Sequence, residues 1–520
     1  MLDRFPPMSV RVRYAPSPTG SPHVGNIRTA LYDHLFARHH QGTFIFRLED
    51  TDRTRFQAGS EEEQLESLKY VGVQIDEGVG IGGPCGPYRQ SERKAAGLYQ
   101  PFIDKLVNEG SAYWAFDTTE ELDEMRLFQQ VNKQPTGYFG GQWRDASEAK
   151  AAEAREAGKP GVLRLRIPKS ERIVLEDAIR GRLEFDSNTL DDIVLIKADG
   201  MPTYHFAAMV DDHLMDISHV FRGEEWISSA PKHVVLWRAL GVTPPVLVHL
   251  PVIKGKDGSK LSKRHGDTAC LDFRRSGYLG DALANFIALI GWAPGDDREI
   301  MSEEDMIAAF SLKGIQPSSG IFDLDKLNWM NSARLRALTV DELAMRFSDY
   351  VNRSETESYW QKRAEADPEA SNPWREVKML AQVQQEDPEY ALKVIALEQE
   401  RVTSLADFGP KSAFFLVDLP ELDQKALAKW KGQSHIPGLF SAVCQAVASA
   451  DPAEINEVWC ESLVRGEAEK LGLDKIGPVV HPLRLALTGQ TVGPGLWELM
   501  AVLGKDRILN RLTANGVHFA

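Results

Sequence analysis

Apolar side chains alternate at Val10, Val12 and Tyr14, the period of a strand, and the alternation stops at Pro16, Ser17, Pro18, Thr19 and Gly20, a dense cluster of turn formers. From about Gly25 to His39 the period becomes helical, with Ile27, Ala30, Leu31, Leu35 and Ala37 in register and Gly42 closing the run. Thr43 to Leu48 is then a mostly apolar, β-rich stretch that delivers Glu49 and Asp50 at its carboxyl end. Strand, helix and strand in this order predict a βαβ unit. In a doubly wound sheet the loops at 15–26 and 49–53 then open into one crevice beyond the strand ends.

Farther along, residues 101–195 read as an insertion: a helix near 99–109, a polar helical run at 145–157, and strands near 162–167 and 182–186. The β-type run Asp192 to Lys197 is expected to return to the sheet. From about 280 onward Pro and Gly punctuate helical stretches such as Ala282 to Ile290 and Glu376 to Gln385. Residues 354–370, with five acidic against two basic side chains, read as a connector. The last 130 residues or so are again helical, and no internal repeat is present.

Composition narrows the class. At 520 residues the chain exceeds one compact core. An apolar fraction of 43% and a charged fraction of 26% are those of a globular protein. No apolar run approaches the roughly 18 residues a spanning helix needs, and residues 1–9 lack a secretory signal, so a cytoplasmic protein without a membrane partner is expected. Cys85, Cys270, Cys444 and Cys460 form no C-x-x-C pair and are expected to be packing residues. The net charge of −15 runs against nucleic-acid binding, yet residues 252–275 hold seven Lys or Arg against three Asp.

Two runs carry chemistry. RYAPSPTGSPHVGN at 13–26 places turn formers before a helix N-terminus, whose free N–H groups and dipole suit a triphosphate. Gly25 permits close approach and His23 can donate to phosphate oxygens, although a helix cap and a turn glycine also explain a bare H-x-G. IKGKDGSKLSKRH at 253–265 puts Lys260, Lys263 and Arg264 on a Gly/Asp loop able to close over phosphates. An exposed basic loop is the bland alternative. Arg222 is either a pocket cation or the surface partner of Glu224 and Glu225, and Tyr204 and Trp226 are pocket or core aromatics. Asp50 and Asp52 read as carboxylates that hold the turn after the strand, and His205 and His213 as structural histidines.

HVGN at 23–26 and KLSKR at 260–264 together resemble the two signatures of class I aminoacyl-tRNA synthetases. With FRLEDTD at 46–52, GGPCGPYRQSER at 82–93, DGMPTYHFA at 199–207, VDDH at 210–213, HVFRGEEW at 219–226, GYLGDALANFIALIGW at 277–292, FDLDKLNWMN at 322–331 and PLRLALTGQTVGPGLWELMAVLG at 482–504, the chain closely resembles the bacterial members of the glutamyl/glutaminyl branch, the glutamyl-tRNA synthetases. Residues 340–400 or so resemble them least.

The resemblance implies a multidomain chain. It has a Rossmann-like, doubly wound, parallel-sheet α/β catalytic domain (1–100 and 196–242), an inserted acceptor-end-binding domain (101–195) and a stem-contact domain carrying KLSKR (243–340). A mostly helical anticodon-binding part follows (341–400 and 401–520). It implies ATP accompanied by Mg2+, L-glutamate and tRNA(Glu) as partners, with no DNA, and a monomer. His23, Lys260 and Lys263 become catalytic; His23, Gly25, Trp226, Lys260 and Lys263 become ATP-binding. Arg13, Ala15, Ser17, Glu49, Tyr204 and Arg222 become glutamate-binding, with Arg222 facing the substrate's side-chain carboxylate. Residues 101–195 contain no cysteine, so the zinc some relatives carry there is expected to be absent, and no other metal site is expected. A glutaminyl-tRNA synthetase, a truncated base-modifying paralogue and a non-catalytic tRNA-binding paralogue are the alternatives.

Overall fold

The computed structural model describes residues 9–262, 264, 266–368, 372–473 and 475–519, apart from the side chain of Arg53. The chain divides into two compact units, one comprising residues 1–271 and 283–323, the other residues 272–282 and 324–520.

The first unit is built on a twisted sheet. Strand β1 (Arg11–Tyr14) pairs in parallel with β2 (Thr43–Phe46), which pairs in parallel with β3 (Glu77–Gly78). Helix α1 (Val24–His39) connects β1 to β2, as the changing period predicts. It turns into β2 at Gly42, where any Cβ would lie 2.2 Å from the Val10 carbonyl. That carbonyl accepts the Thr43 amide at 2.8 Å, so glycine is what lets the turn close against β1.

A second ladder abuts the first. Its order is β7 (Gly181–Asp186), β6 (Arg172–Asp177), β10 (Val246–Leu250) and β9 (His219–Gly223). Strands β6, β10 and β9 are parallel, and β7 closes a hairpin on β6. The ladders meet where the Ser218 amide donates to the Arg11 carbonyl at 2.9 Å, giving the spatial order β3, β2, β1, β9, β10, β6, β7. The strand order reverses between β1 and β9, which is where such sheets open a crevice for ligands.

The β-type run at 192–197 departs from expectation. Its strand β8 (Val194–Ile196) does not return to the parallel sheet; it pairs antiparallel with β5 (Val162–Leu165), whose other neighbour is β4 (Ala112–Ala115). Asp192 explains the choice. Fully buried, it accepts from the Ile167 amide at 2.9 Å and from Tyr113 Oη at 2.7 Å, and it pairs with Arg144, so moving the run elsewhere would strand a buried carboxylate. Alternating apolar residues set a strand's faces but do not name its sheet.

The second unit is helical, as its punctuation predicts. Residues 354–366 are a helix, Ser354–Ala366, and not a connector: Trp360 is buried and donates to Tyr350 Oη at 2.9 Å. Residues 369–371 of that expected connector lie outside the described residues. Helices Trp374–Glu386, Pro388–Glu398, Ile436–Ser449, Glu457–Lys470, Gly477–Thr488 and Leu496–Gly516 share one apolar core. Arg511, fully buried within it, donates to the carbonyls of Phe414 and Leu487, each at 2.7 Å, joining chain segments that regular hydrogen bonding leaves unlinked. Among the described residues no helix is long and apolar enough to cross a membrane. Cys270 and Cys460 are buried, Cys85 and Cys444 half-buried, and none is in a disulfide.

Candidate active site

Buried charge gathers at the point where the strand order reverses. Arg13 leaves β1, Arg47 and Glu49 follow β2, and Asp212 sits in the last turns of the helix Tyr204–Leu214; all four are at most 5% exposed. Arg13 Nε donates to Asp212 Oδ1 at 3.0 Å, Arg47 Nη1 donates to the same oxygen at 2.7 Å, and Arg47 Nη2 donates to Glu49 Oε1 at 3.0 Å. Burial pushes Asp212 toward protonation, but the two guanidiniums outweigh it and hold the carboxyl below its ordinary value. Glu49 is less well compensated. Burial, opposed by Arg47 and Arg13, lifts it to about 6.

Arg222 on β9 is the third buried guanidinium, 5% exposed. Its Nε donates to His249 Nε2 at 3.0 Å, its Nη1 lies 3.1 Å from His233 Nδ1, and its Nη2 is buried with no partner. The expected alternative, a surface pair with Glu224 or Glu225, is not what the structure forms. Glu224 pairs with Arg180 at 2.5 Å and accepts the Val252 amide at 2.9 Å. Burial lowers Arg222 from its ordinary value, and no carboxylate among the described residues forms a salt bridge with it.

Tyr204 lies at the centre. Burial raises its hydroxyl above the ordinary value, and the charges of Arg222, Glu49, Arg13 and Asp212 act on it. Its ring packs on Trp226 with centroids 4.2 Å apart. Burial lifts Asp33, on α1, well above the ordinary carboxylate value. A buried guanidinium with no carboxylate bonded directly to it is costly unless an anion joins it, and Arg222 is in that position.

The nucleotide signatures also meet. His23 caps α1: its Nδ1 accepts from the Gly25 amide at 3.1 Å, so the neutral ring carries its proton on Nε2, which is buried and unpartnered. A Cβ at Gly25 would sit 3.4 Å from that Nδ1. Downstream, the chain pairs Lys254 with Lys260 across a hairpin turn and then returns to His23. There the Val24 amide donates to the Thr268 carbonyl at 2.9 Å and the Cys270 amide to the Pro22 carbonyl at 3.0 Å. Burial, then the charge of Lys260, lowers His23, so the exposed lysine acts on the cap. Lys263 lies outside the described residues. In the loop after β1, Ala15 is half-buried and Ser17 exposed.

Asp50 and Asp52 hold turns. Asp50 accepts from the Ser91 amide at 2.8 Å and Asp52 from the Thr54 amide at 3.1 Å. His205 Nδ1 lies 3.0 Å from His233 Nε2, and His213 packs edge-on against Phe102. Sequence reasoning overlooked Arg47, Asp212, His233 and His249. Arg47 and His249 carried a signal: a charged or polar side chain inside an apolar run, as in TFIFRL and VLVHL, needs a buried partner.

The family of tRNA synthetases class I (E and Q), catalytic domain, matches residues 9–329, and an anticodon binding domain matches residues 370–515. A glutamate–tRNA ligase of Dehalococcoides mccartyi is 40% identical over 508 residues, covering 97% of each chain. Glutamate–tRNA ligase 2 of Caldicellulosiruptor saccharolyticus is 37% identical over 503 residues, covering 97% of this chain and 98% of its own. A crystal structure of a glutamate tRNA ligase from Elizabethkingia meningosepticum in complex with its amino acid superposes with a TM-score of 0.86 at 36% identity, over 99% of this chain and 100% of that one. Reversal of strand order, paired nucleotide signatures and near-complete coverage agree: the chain belongs to the class I tRNA synthetases of the E and Q group, in the glutamate–tRNA ligase family.

Proposed function

We propose that the chain joins L-glutamate to the 3′ end of tRNA(Glu) through a glutamyl-adenylate, and that the buried pocket around Tyr204 holds the amino acid. The observation that carries this is Arg222, a buried guanidinium with an unpartnered Nη2 and no carboxylate of its own. Glutamate at neutral pH carries two carboxylates and one ammonium. Arg222 takes the side-chain carboxylate and Glu49 the ammonium. Glutamine would leave Arg222 facing a neutral amide, the physical source of discrimination. Arg13, Ala15 and Ser17 line the approach to the reacting carboxylate.

His23 offers its free Nε2–H to a phosphate oxygen, Gly25 opens the backbone to the nucleotide, and Trp226 flanks it. Lys260, with Lys263 on the same signature, neutralises charge that builds as the glutamate carboxylate attacks the α-phosphorus and pyrophosphate leaves. Mg2+ enters with ATP, held largely by its phosphates. The ribose hydroxyl of tRNA then displaces AMP. We assign the sheet of β4, β5 and β8 with its helices, within residues 101–195, to the acceptor end, the residues after β10 up to 340 to the stem and 341–520 to the anticodon, in a cytoplasmic monomer.

Charging of purified tRNA(Glu) and tRNA(Gln) with radiolabelled glutamate or glutamine tests the reading; failure to charge any tRNA with glutamate overturns it. Glu49 adds a pH signature. Its folded value of about 6 lies above the ordinary 4.5, so it stabilises the empty fold below pH 4.5 and that contribution is lost as pH rises through 6. Amine binding needs the opposite form, the carboxylate. In pyrophosphate exchange with tRNA present, kcat/KM for glutamate is expected to fall on the acid side with a midpoint near 6. Glu49→Gln is expected to lose about a hundredfold in kcat/KM and to abolish that acid limb; an unchanged limb would remove Glu49 from the role.

A further inference from the structure

Arg222 belongs to a hydrogen-bonded chain that reaches well beyond the pocket. It stands opposite His249 in the parallel register of β9 and β10, and His249 Nδ1 lies 2.6 Å from Asp177 Oδ2 at the end of β6. Asp177 uses both oxygens: Oδ2 also accepts the His249 amide at 3.2 Å, and Oδ1 accepts the amides of Ile179 at 3.0 Å and Arg180 at 2.8 Å. Asp177 is 5% exposed, while His249 and His233 are fully buried.

Proton positions follow from the donors. A guanidinium only donates, so His249 Nε2, which it addresses, must be bare, and the ring proton sits on Nδ1 facing the Asp177 carboxylate. By the same logic His233 Nδ1 is bare toward Arg222 Nη1, and its Nε2–H donates to His205 Nδ1. Burial holds both His233 and His249 below the ordinary histidine value, consistent with neutral rings. Most buried arginines are fixed by carboxylates, which cancel their charge. Two neutral acceptors instead fix the plane of this one and leave its charge for the ligand.

Resting on the glutamate-pocket reading above, we propose that Asp177, His249 and His233 are positioning residues that set selectivity for glutamate over glutamine, by orienting Arg222 without neutralising it. Asp177 acts from the β6–β7 hairpin through the tautomer of His249. An amide at 177 cannot accept on both sides. It either presents NH2 to His249, forcing the proton onto Nε2 against Arg222, or presents NH2 to the two backbone amides.

The test is pyrophosphate exchange by the full chain with tRNA present, with glutamate and glutamine, on Asp177→Asn, His233→Leu and His233→Asn. Asp177→Asn and His233→Leu are expected to raise the glutamate KM about tenfold or more and to shrink the glutamate-to-glutamine ratio of kcat/KM similarly, with the ATP KM within about twofold of wild type. His233→Asn keeps a carbonyl acceptor and is expected to recover most of the ratio. Parallel rises in the KM of glutamate and ATP, or an unchanged ratio, overturn the proposal. If Asp177→Asn does not fold, the two His233 variants decide it. A wild-type chain inert toward glutamate would overturn the pocket reading instead, so the two failures are distinct.

Discussion

Replacing Arg222 with alanine is expected to raise the KM for glutamate about a hundredfold or more in pyrophosphate exchange with tRNA present, while the KM for ATP stays within about twofold of wild type. The magnitude follows from what is removed. A desolvated, charge-assisted pair typically costs about 2–5 kcal/mol when one partner is truncated, because the other charge is left buried and unpaired. Here the orphan would be the substrate's own side-chain carboxylate. Lysine at the same position restores the charge but cannot donate simultaneously to His249 Nε2 and His233 Nδ1 in the guanidinium's plane, so Arg222→Lys is expected to recover only part of the loss. Equal rises in the KM of glutamate and ATP would contradict the assignment of Arg222 to the amino acid.

Asp212→Ala is expected to destabilise the fold by about 3–5 kcal/mol, measured by urea unfolding at neutral pH. One oxygen of Asp212 serves both Arg13 and Arg47, so removing it leaves two buried guanidiniums repelling each other. A second substitution relieves this: Arg47→Met in the Asp212→Ala background is expected to restore part of the stability, since the pair is coupled through one carboxylate. A linked acid effect accompanies it. Asp212 is held below the ordinary 3.8, so its contribution is present above that pH and is lost as pH falls through the folded value; the variant loses this acid sensitivity. A loss below about 1 kcal/mol would mean the carboxylate does not hold the pair together.

The catalytic core was legible because its signals are local. Alternation at Val10, Val12 and Tyr14, helical spacing to His39 and the apolar run to Leu48 become β1, α1 and β2 with ends close to those expected. Arg13, Glu49, Tyr204 and Arg222 converge because three of them leave strand ends that a parallel sheet aligns. What stayed hidden depends on contacts distant in the chain. The run at 192–197 reads as a strand by composition, but which strand it joins is decided by Asp192, Tyr113, Arg144 and Ile167. The polarity of 354–366 masked a helix anchored by one tryptophan, Trp360. Asp177 and His249 lie 72 residues apart in the chain, and nothing in the local pattern of either announces the other.

The seam between β1 and β9 has a mechanical consequence. On one side stand Arg13, Arg47 and Glu49, carried by the first ladder; on the other stands Arg222, carried by the second and braced through His249 to β6. A glutamate seated as proposed ties these two ladders together through its opposite ends, like a stitch across a fold in cloth. The amino acid is then a temporary structural member of the sheet.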